Sequence, residues 1–188
     1  GEWEIQPDAN GVKLDPGDAE RYDVIAKGWK DLIEAKRPLC LGAFVFHFSN
    51  SFDHTSLWLA FKSKDAIRPP YWATRKAFTG EDPKNWPPAI GDFMIAKATQ
   101  AKKAGSWVRV KLDVKDQEKD PVDVQFAYLK RDGWRDTSVE ILPSTVSDKE
   151  GQYWVQMPDV DGGFKLYAMA RDSYPNLSVA VISAKAEK

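Results

Sequence analysis

The chain has 188 residues, a formal net charge of −1 and a pI near 6.2, and 43% of its residues are hydrophobic. This length holds one large domain or two small ones with a real core. The near-zero charge argues against nucleic acid or an anionic membrane surface as a partner. No apolar run approaches the ~20 residues of a membrane-spanning helix, and the single Cys40 excludes an internal disulfide bond. The chain begins with Gly1 rather than Met, which indicates a processed protein, a tag remnant or a fragment.

The first predicted element is a helix that follows an irregular N-terminal stretch. Asp15 is able to cap it, and Pro16 suits the first helical position. Asp18 then places a carboxylate in the first turn, where the helix dipole favours it. Apolar residues follow at helical spacing, so we predict a helix to about Lys36. It would bury a stripe formed by Tyr22, Ile25, Ala26, Trp29 and Ile33.

A strand is predicted next, over residues 39–48. These ten residues include a single polar side chain, His47, and are too short for a helix with a solvent face. Three Phe and the β-branched Val45 favour a strand buried on both faces. Such strands belong to parallel sheets covered by helices, and ligands bind beyond the carboxyl ends of those strands. The polar stretch 49–56 lies at that end, so we expect a small-molecule site there.

A second helix is predicted after a short apolar run at 57–61. Pro69 and Pro70 fit its first turn, and Gly80 is suited to end it after Thr79 in a left-handed conformation. Residues 81–88 then contain three prolines and Trp86, with little room for regular structure. We therefore predict a domain boundary there, between residues 1–88 and 89–188.

Apolar residues alternate with polar ones after the boundary, which is typical of strands that bury one face. Six runs show this pattern: 93–98, 108–114, 122–128, 153–157, 164–170 and 177–181. Polar turns such as 116–120 and 159–163 separate them. Short alternating strands over about a hundred residues predict an immunoglobulin-like β-sandwich.

The N-terminal part is too small to be a closed barrel. Residues 1–88 carry two helices and one clear buried strand, whereas a complete (β/α)₈ barrel takes roughly 250 residues. The segment either folds in a smaller way or is the tail of a barrel whose earlier strands are missing from this chain. We favour the second interpretation. The predicted fold class is therefore α/β plus all-β: the last βα units of a TIM-type barrel followed by an immunoglobulin-like β-sandwich.

The order of several motifs resembles the C-terminal end of certain bacterial barrel-type glycoside hydrolases. These motifs are Trp3-Glu4, Gly11, Asp15-Pro16, Trp29, residues 39–48, Thr55 to Trp58, Phe78 to Gly80 and Trp86-Pro87-Pro88. The chain resembles retaining β-glucan-active enzymes in which an immunoglobulin-like domain follows the barrel. The resemblance covers residues 1–90. It implies a β-glucan hydrolase or transglycosylase, an oligo- or polysaccharide partner, the missing N-terminal barrel portion as a second partner, and a periplasmic or secreted location.

The same resemblance implies roles for the loop after the buried strand. Phe48 stands where the clan usually has a Trp that forms the floor of a sugar subsite. Asn50 and Asp53 fall where the family tends to carry Gln and Glu, while Trp58 keeps the family identity. Four residues depart from the pattern, which puts the family's substrate specificity in doubt: Phe48, Ser51, His54 and Leu57. The two catalytic carboxylates belong to earlier strands, so this chain alone is expected to be inactive.

The residues themselves offer little catalytic machinery. A retaining glycosidase needs two carboxyl groups roughly 5 Å apart, and Glu2 and Glu4 would supply only one. Glu2 follows Gly1 in a Gly-Glu-aromatic triplet that can mark a nucleophile, although a frayed terminal carboxylate is the simpler interpretation. His47, Asp53 and His54 suggest a metal or a serine triad only weakly, because the chain has two His and no elbow motif.

Two acidic stretches receive structural interpretations. Residues Asp159 to Gly162 weakly resemble the start of a calcium-binding loop. The later positions of such a loop lack ligand residues here, so a turn is predicted. The acidic run 113–120 is interpreted as a solvated hairpin. We predict no metal and no cofactor.

The most plausible ligand set is an aromatic platform with polar partners for sugar hydroxyls. It comprises Phe48, Asn50, Asp53 and Trp58, with His47 lining the cleft and Trp3, Glu4 and Trp86 able to join. The function predicted from it is the C-terminal portion of a carbohydrate-active barrel enzyme. The alternatives are a non-catalytic module that binds polysaccharide or protein, and a segment kept only for stability.

Overall fold

The computed structural model describes residues 6–44, 61–63, 65–96, 100–130 and 139–188, without the side chains of Ser63 and Lys130. Within these ranges the chain is mostly β, with two larger sheets and few helices. None of the described helices has the length and apolar character needed to cross a membrane. The elements are α1 Asp18–Gly28, β1 Lys62–Ser63, β2 Ala66–Ile67, α2 Pro69–Thr79, β3 Ala89–Ile95, β4 Lys102–Lys103, β5 Trp107–Lys115, β6 Asp123–Lys130, β7 Glu140–Leu142, β8 Ser144–Val146, β9 Gln152–Gln156, β10 Gly162–Arg171 and β11 Leu177–Glu187.

The second helix confirms the sequence prediction at both ends. Arg68 has extended backbone, and Pro69 and Pro70 occupy the first turn of α2, where a missing N–H costs nothing. Gly80 ends the helix with φ 74°, in the left-handed region that glycine enters without steric cost.

The first helix differs from the prediction in what it buries. It begins at Asp18 after Gly17 and continues through a π-helical turn, Trp29–Ile33, and a 3₁₀ turn, Glu34–Lys36. Asp15 does not cap it but pairs with Lys165 of β10. The predicted apolar stripe is half-buried at best, and the buried residues of α1 are Asp18 and Arg21. The helix therefore docks through charged groups, which the spacing of apolar residues does not reveal.

The predicted buried strand over 39–48 is wrong for its described part. Residues 40–44 have no regular structure, and Leu39, Leu41 and Phe44 are 93%, 98% and 107% exposed. A strand buried on both faces needs neighbouring strands, and the described residues supply none to this segment. Residues 45–48 lie outside the described ranges.

The C-terminal part forms two sheets that face each other. One has the strand order β4-β11-β10-β6-β7, and the other has the order β3-β5-β9-β8. All neighbouring pairs are antiparallel except β4 with β11. The six alternating runs of the sequence coincide with or overlap β3, β5, β6, β9, β10 and β11. The strands β4, β7 and β8 have two or three residues, too few for an alternating pattern to be visible.

The core between the sheets consists of the inward residues of these strands. Val110, Phe126, Phe164 and Leu166 are completely excluded from solvent there. Strand β10 is also buried on its outer face, where the N-terminal part covers the five-stranded sheet. A second apolar cluster lies on that face: Ala66, Ala127, Tyr167, Leu177 and Val179. The N-terminal part is thus packed against the outer face of the five-stranded sheet.

Candidate functional site

Eight residues that the sequence predicts to act in catalysis or sugar binding lie outside the described ranges. They are Glu2, Trp3, Glu4, His47, Phe48, Asn50, Asp53 and Trp58. Their assignment therefore stays a prediction.

A cleft of about 260 Å³ lies where both helices meet β11. Its walls come from the start of α1, the first turn of α2, the segment 86–90 and the strand residues 178–180. Three half-buried aromatic side chains line it: Tyr22, Trp72 and Trp86. The ring centroids of Tyr22 and Trp86 are 6.2 Å apart with an interplanar angle of 56°. The cleft therefore presents aromatic surface on more than one side.

A buried ion pair holds the two helices against β11 beside this cleft. Arg68 donates from Nε and Nη2 to the two carboxylate oxygens of Asp18, over 3.0 and 2.7 Å. The backbone N–H of Val179 donates to the same carboxylate at 2.9 Å. Asp18 and Arg68 are only 2% and 1% exposed. Burial, together with the neighbouring Arg68, lowers the pKa of Arg21 to about 10.

A second network positions the tryptophans. Trp72 Nε1 donates to Oδ1 of Asn176 at 3.0 Å, and Asn176 Nδ2 donates to Oδ1 of Asn85 at 2.8 Å. Asn176 is completely buried, and its Nδ2 also donates to Asp172 at 3.0 Å. The backbone N–H of Trp86 donates to Glu118 at 3.2 Å. Side-chain amides thus connect α2, the segment before β3 and the turn between β10 and β11.

The polar groups of the cleft are few. The carboxylate of Asp23 is exposed at its edge, whereas that of Asp18 is bound by Arg68. The hydroxyl of Ser178 is buried and has no hydrogen-bond partner among the described residues. A concave, mostly apolar surface with a few polar groups is the usual form of a small-molecule site. The arrangement is suited to binding a ligand with an apolar ring face, because aromatic side chains offer large flat surfaces.

A cluster of three carboxylates lies next to this network. Asp116 and Asp120 come from the loop between β5 and β6, and Asp172 follows β10. The predicted solvated hairpin at 113–120 is wrong for Asp116 and Asp120, which are half-buried. Burial raises the pKa of Asp172, and repulsion from Asp116 and Asp120 adds to the effect, whereas hydrogen bonds from Asn176 oppose it. Asp159 lies in the irregular connection between β9 and β10, and its side chain is exposed.

The sequence signals for the cleft were incomplete. The sequence predicts Trp86 as a possible sugar contact and Tyr22 as part of the buried stripe of α1, whereas no pattern distinguishes Trp72. An aromatic residue at helical spacing looks the same in sequence whether it fills a core or lines a cleft. Only the docking of the helices on β11 brings these rings together.

No protein-family model and no curated protein matches this chain. Among the solved structures with similarity to it is a nucleoside hydrolase-related hypothetical protein from Saccharophagus degradans that is associated with carbohydrate metabolism. The identity is 14% and the TM-score is 0.31. The alignment covers 66% of this chain and 33% of that protein, so the chain spans about one third of its length.

Proposed function

We propose that this chain is the C-terminal portion of a carbohydrate-active barrel enzyme and that it binds an oligo- or polysaccharide, with a β-glucan as the substrate class. The observation that carries the proposal is the cleft with Tyr22, Trp72 and Trp86 in its walls. The C–H face of a pyranose ring packs on the electron-rich face of an aromatic ring. A volume of about 260 Å³ lies just below the ~300–1,000 Å³ of typical drug-sized ligand pockets. It suits a short stretch of a sugar chain better than a large cofactor.

We assign binding, rather than bond cleavage, to the described cleft. A retaining glycosidase needs a nucleophile and a proton donor roughly 5 Å apart. The cleft is lined by two carboxylates, and Asp18 is held by Arg68. In the family that the sequence resembles, the catalytic pair belongs to earlier barrel strands. Glu2 remains a candidate nucleophile. The proposed sugar contacts on the barrel side remain Trp3, Glu4, His47, Phe48, Asn50, Asp53 and Trp58.

The exposed segment 39–44 supports the second proposed partner, the N-terminal barrel portion. Leu39, Leu41 and Phe44 are large apolar side chains at nearly full exposure. Apolar surface of this kind is stabilised when it is removed from water. We propose that this apolar segment contacts the N-terminal portion of a TIM-type barrel, which would cover it. The two-sheet part would then be the immunoglobulin-like domain that follows such barrels, and the enzyme would act outside the cytoplasm.

Replacing Trp86 by alanine is expected to weaken binding of a laminari-oligosaccharide about 5- to 10-fold. An aromatic contact contributes roughly 0.5–1.5 kcal/mol beyond its buried area, and 1.4 kcal/mol corresponds to a factor of ten in affinity. Isothermal titration calorimetry on the wild-type chain and the variant measures this directly. Trp107→Ala is the matched control, because Trp107 is 48% exposed at the start of β5 and does not line the cleft.

Equal weakening by both substitutions would contradict the assignment of the cleft, as would a wild-type chain without measurable affinity for the sugar. Retained wild-type affinity in the Trp86 variant would instead favour the loop 49–58 as the sugar site. A wild-type chain that binds a protein partner through 39–44 but no sugar would favour the non-catalytic alternative.

The proposed boundary between residues 1–88 and 89–188 leads to a separate expectation. Residues 89–188, expressed alone, should unfold cooperatively, because the core between the two sheets is built within this range. Its melting temperature should fall below that of the whole chain, since Tyr167 and Val179 lose their cover and Lys165 loses Asp15. Thermal unfolding followed by circular dichroism tests both statements. A fragment without a cooperative transition would contradict the boundary.

A further inference from the structure

Ser178 of β11 is a buried polar residue in the wall of the cleft that Tyr22, Trp72 and Trp86 line. The residue is 4% exposed, and its Oγ forms no hydrogen bond with any described residue. A buried hydroxyl without a partner destabilises a fold, and most buried polar side-chain atoms therefore have one. Because this hydroxyl belongs to a residue of the cleft wall, it points to a partner that enters the cleft.

The alternation of β11 places the Ser178 side chain on the cleft side of the strand. Its neighbours Leu177 and Val179 belong to the apolar cluster on the outer face of the five-stranded sheet. Successive side chains of a strand point to opposite faces, so Ser178 faces the space between the two sheets. Ile90 of β3 packs against the core in that space and also lines the cleft. Ser178 and Ile90 thus form the wall of the cleft on the side of the inter-sheet core.

The chemistry of this hydroxyl suits a neutral polar group of a ligand. A serine hydroxyl donates one hydrogen bond and accepts others, and it carries no charge. Its position is set by a single torsion with three staggered values, so rotation about one bond redirects Oγ. Asp18 lines the same cleft, but its carboxylate is already bound by Arg68. Ser178 therefore complements the aromatic surface of the cleft with a polar contact.

We propose that Ser178 is a specificity-determining residue of the cleft, and that its hydroxyl rotates to form a hydrogen bond with one ring hydroxyl of the bound sugar. This inference rests on the proposed binding of sugar in the cleft. The aromatic side chains accept any ring with an apolar face, whereas Ser178 selects rings with a hydroxyl at one position. A site that hydrogen-bonds a ligand hydroxyl rejects the analogue that lacks it, because its own polar group is then left without a partner.

Replacing Ser178 by alanine should have opposite effects on binding and on stability. The affinity for laminaritriose should fall about 2- to 10-fold, which corresponds to the net contribution of one hydrogen bond. The melting temperature of the chain without sugar should stay the same or rise by about 2–4 °C, because the variant removes a buried hydroxyl that has no partner. Isothermal titration calorimetry and thermal unfolding of the full 188-residue chain measure the two effects.

Ser183→Ala is the matched control. Ser183 lies on the same strand and is 8% exposed, but its Oγ accepts a hydrogen bond from Nδ2 of Asn10. It does not line the cleft. This variant should bind laminaritriose like the wild type and should melt at a lower temperature, which is the reverse of the result expected for Ser178→Ala.

Singly deoxygenated analogues of laminaritriose identify the hydroxyl that Ser178 binds. One analogue should bind the wild-type chain more weakly than laminaritriose does, but should bind Ser178→Ala as well as laminaritriose does, because the variant already lacks the same hydrogen bond. This comparison also decides the case in which Ser178→Ala both binds more weakly and melts at a lower temperature. If every analogue loses the same factor in both proteins, the inference is overturned.

Failure of this inference differs from failure of the proposed function. If Ser178→Ala binds laminaritriose as tightly as the wild type while Trp86→Ala binds it more weakly, Ser178 has no role in specificity and sugar binding in the cleft stands. If the wild-type chain does not bind laminaritriose, both the proposed function and the role of Ser178 are overturned.

Discussion

Replacing Arg68 by alanine is expected to lower the free energy of unfolding by about 3–5 kcal/mol, because the buried carboxylate of Asp18 then loses its two close hydrogen bonds and keeps only the longer contact with Arg21, at 3.6 Å. Both side chains are almost completely buried and joined by two hydrogen bonds, of 2.7 and 3.0 Å. Asp18 would keep the N–H of Val179 and the Arg21 guanidinium at 3.6 Å, but an amide carries no charge, and Arg21 lies too far away to replace the hydrogen bonds of Arg68. Urea unfolding at neutral pH measures the loss.

The control for this prediction is Arg75→Ala. Arg75 also forms a close ion pair, with 2.6 Å between its Nη2 and Oε2 of Glu81, but both partners are solvent-accessible. Exposed pairs contribute about 0–1 kcal/mol, so this variant should unfold nearly like the wild type. The double variant Asp18→Asn/Arg68→Met should lose less stability than the sum of the single changes, because it removes the buried carboxylate together with its closest cation. A loss below about 1 kcal/mol in Arg68→Ala would show that the pair does not hold the helices to the sheet.

Replacing Asn176 by alanine should lower the free energy of unfolding by about 3 kcal/mol or more. The side chain of Asn176 is completely buried and bonds to Trp72, Asn85 and Asp172. Each buried polar group that loses its partner costs about 1–3 kcal/mol, and these losses are not additive. Thermal and urea unfolding give the size of the effect.

Two further variants separate the hydrogen bonds of Asn176 from a general effect of removing an amide. Gln156→Ala removes an exposed bond to the carbonyl of Gly105 and should cost little. In a double-mutant cycle, the loss of unfolding free energy in the double variant Trp72→Phe/Asn176→Ala should be smaller than the sum of the losses in the two single variants. The reason is that both substitutions remove the same hydrogen bond. Fully additive losses would mean that this bond contributes nothing to the docking of α2.

The candidate cleft could be predicted only in part. Trp86 lies in a proline-rich stretch without a predicted helix or strand, so it could be recognised as a candidate ligand contact rather than a core residue. Tyr22 and Trp72 lie on helices, where an aromatic residue is usually a core residue. Their convergence depends on the contacts of Asp18 and Asn176 with residues more than a hundred positions away. Pairings at such separations leave no local periodic signal.

The sequence by itself determined the six longer strands of the two-sheet part and the second helix. Apolar and polar residues alternate over Val108 to Val114 and over Phe164 to Ala170. This pattern indicates an extended strand, in which successive side chains point to opposite faces. The prolines and Gly80 at the ends of α2 act through their own allowed φ angles in the same way. These signals are contained within a few consecutive residues and do not depend on the rest of the fold.

Which surfaces are covered depends on the tertiary structure. Leu41 and Phe44 are exposed, although their apolar side chains predicted burial, because the described residues provide no neighbouring strand. Asp18 and Arg68 are buried, although their charge predicted exposure, because each neutralises the other on the outer face of the sheet. Burial depends on which segments meet, and ion pairs between distant residues can override the polarity of a single side chain.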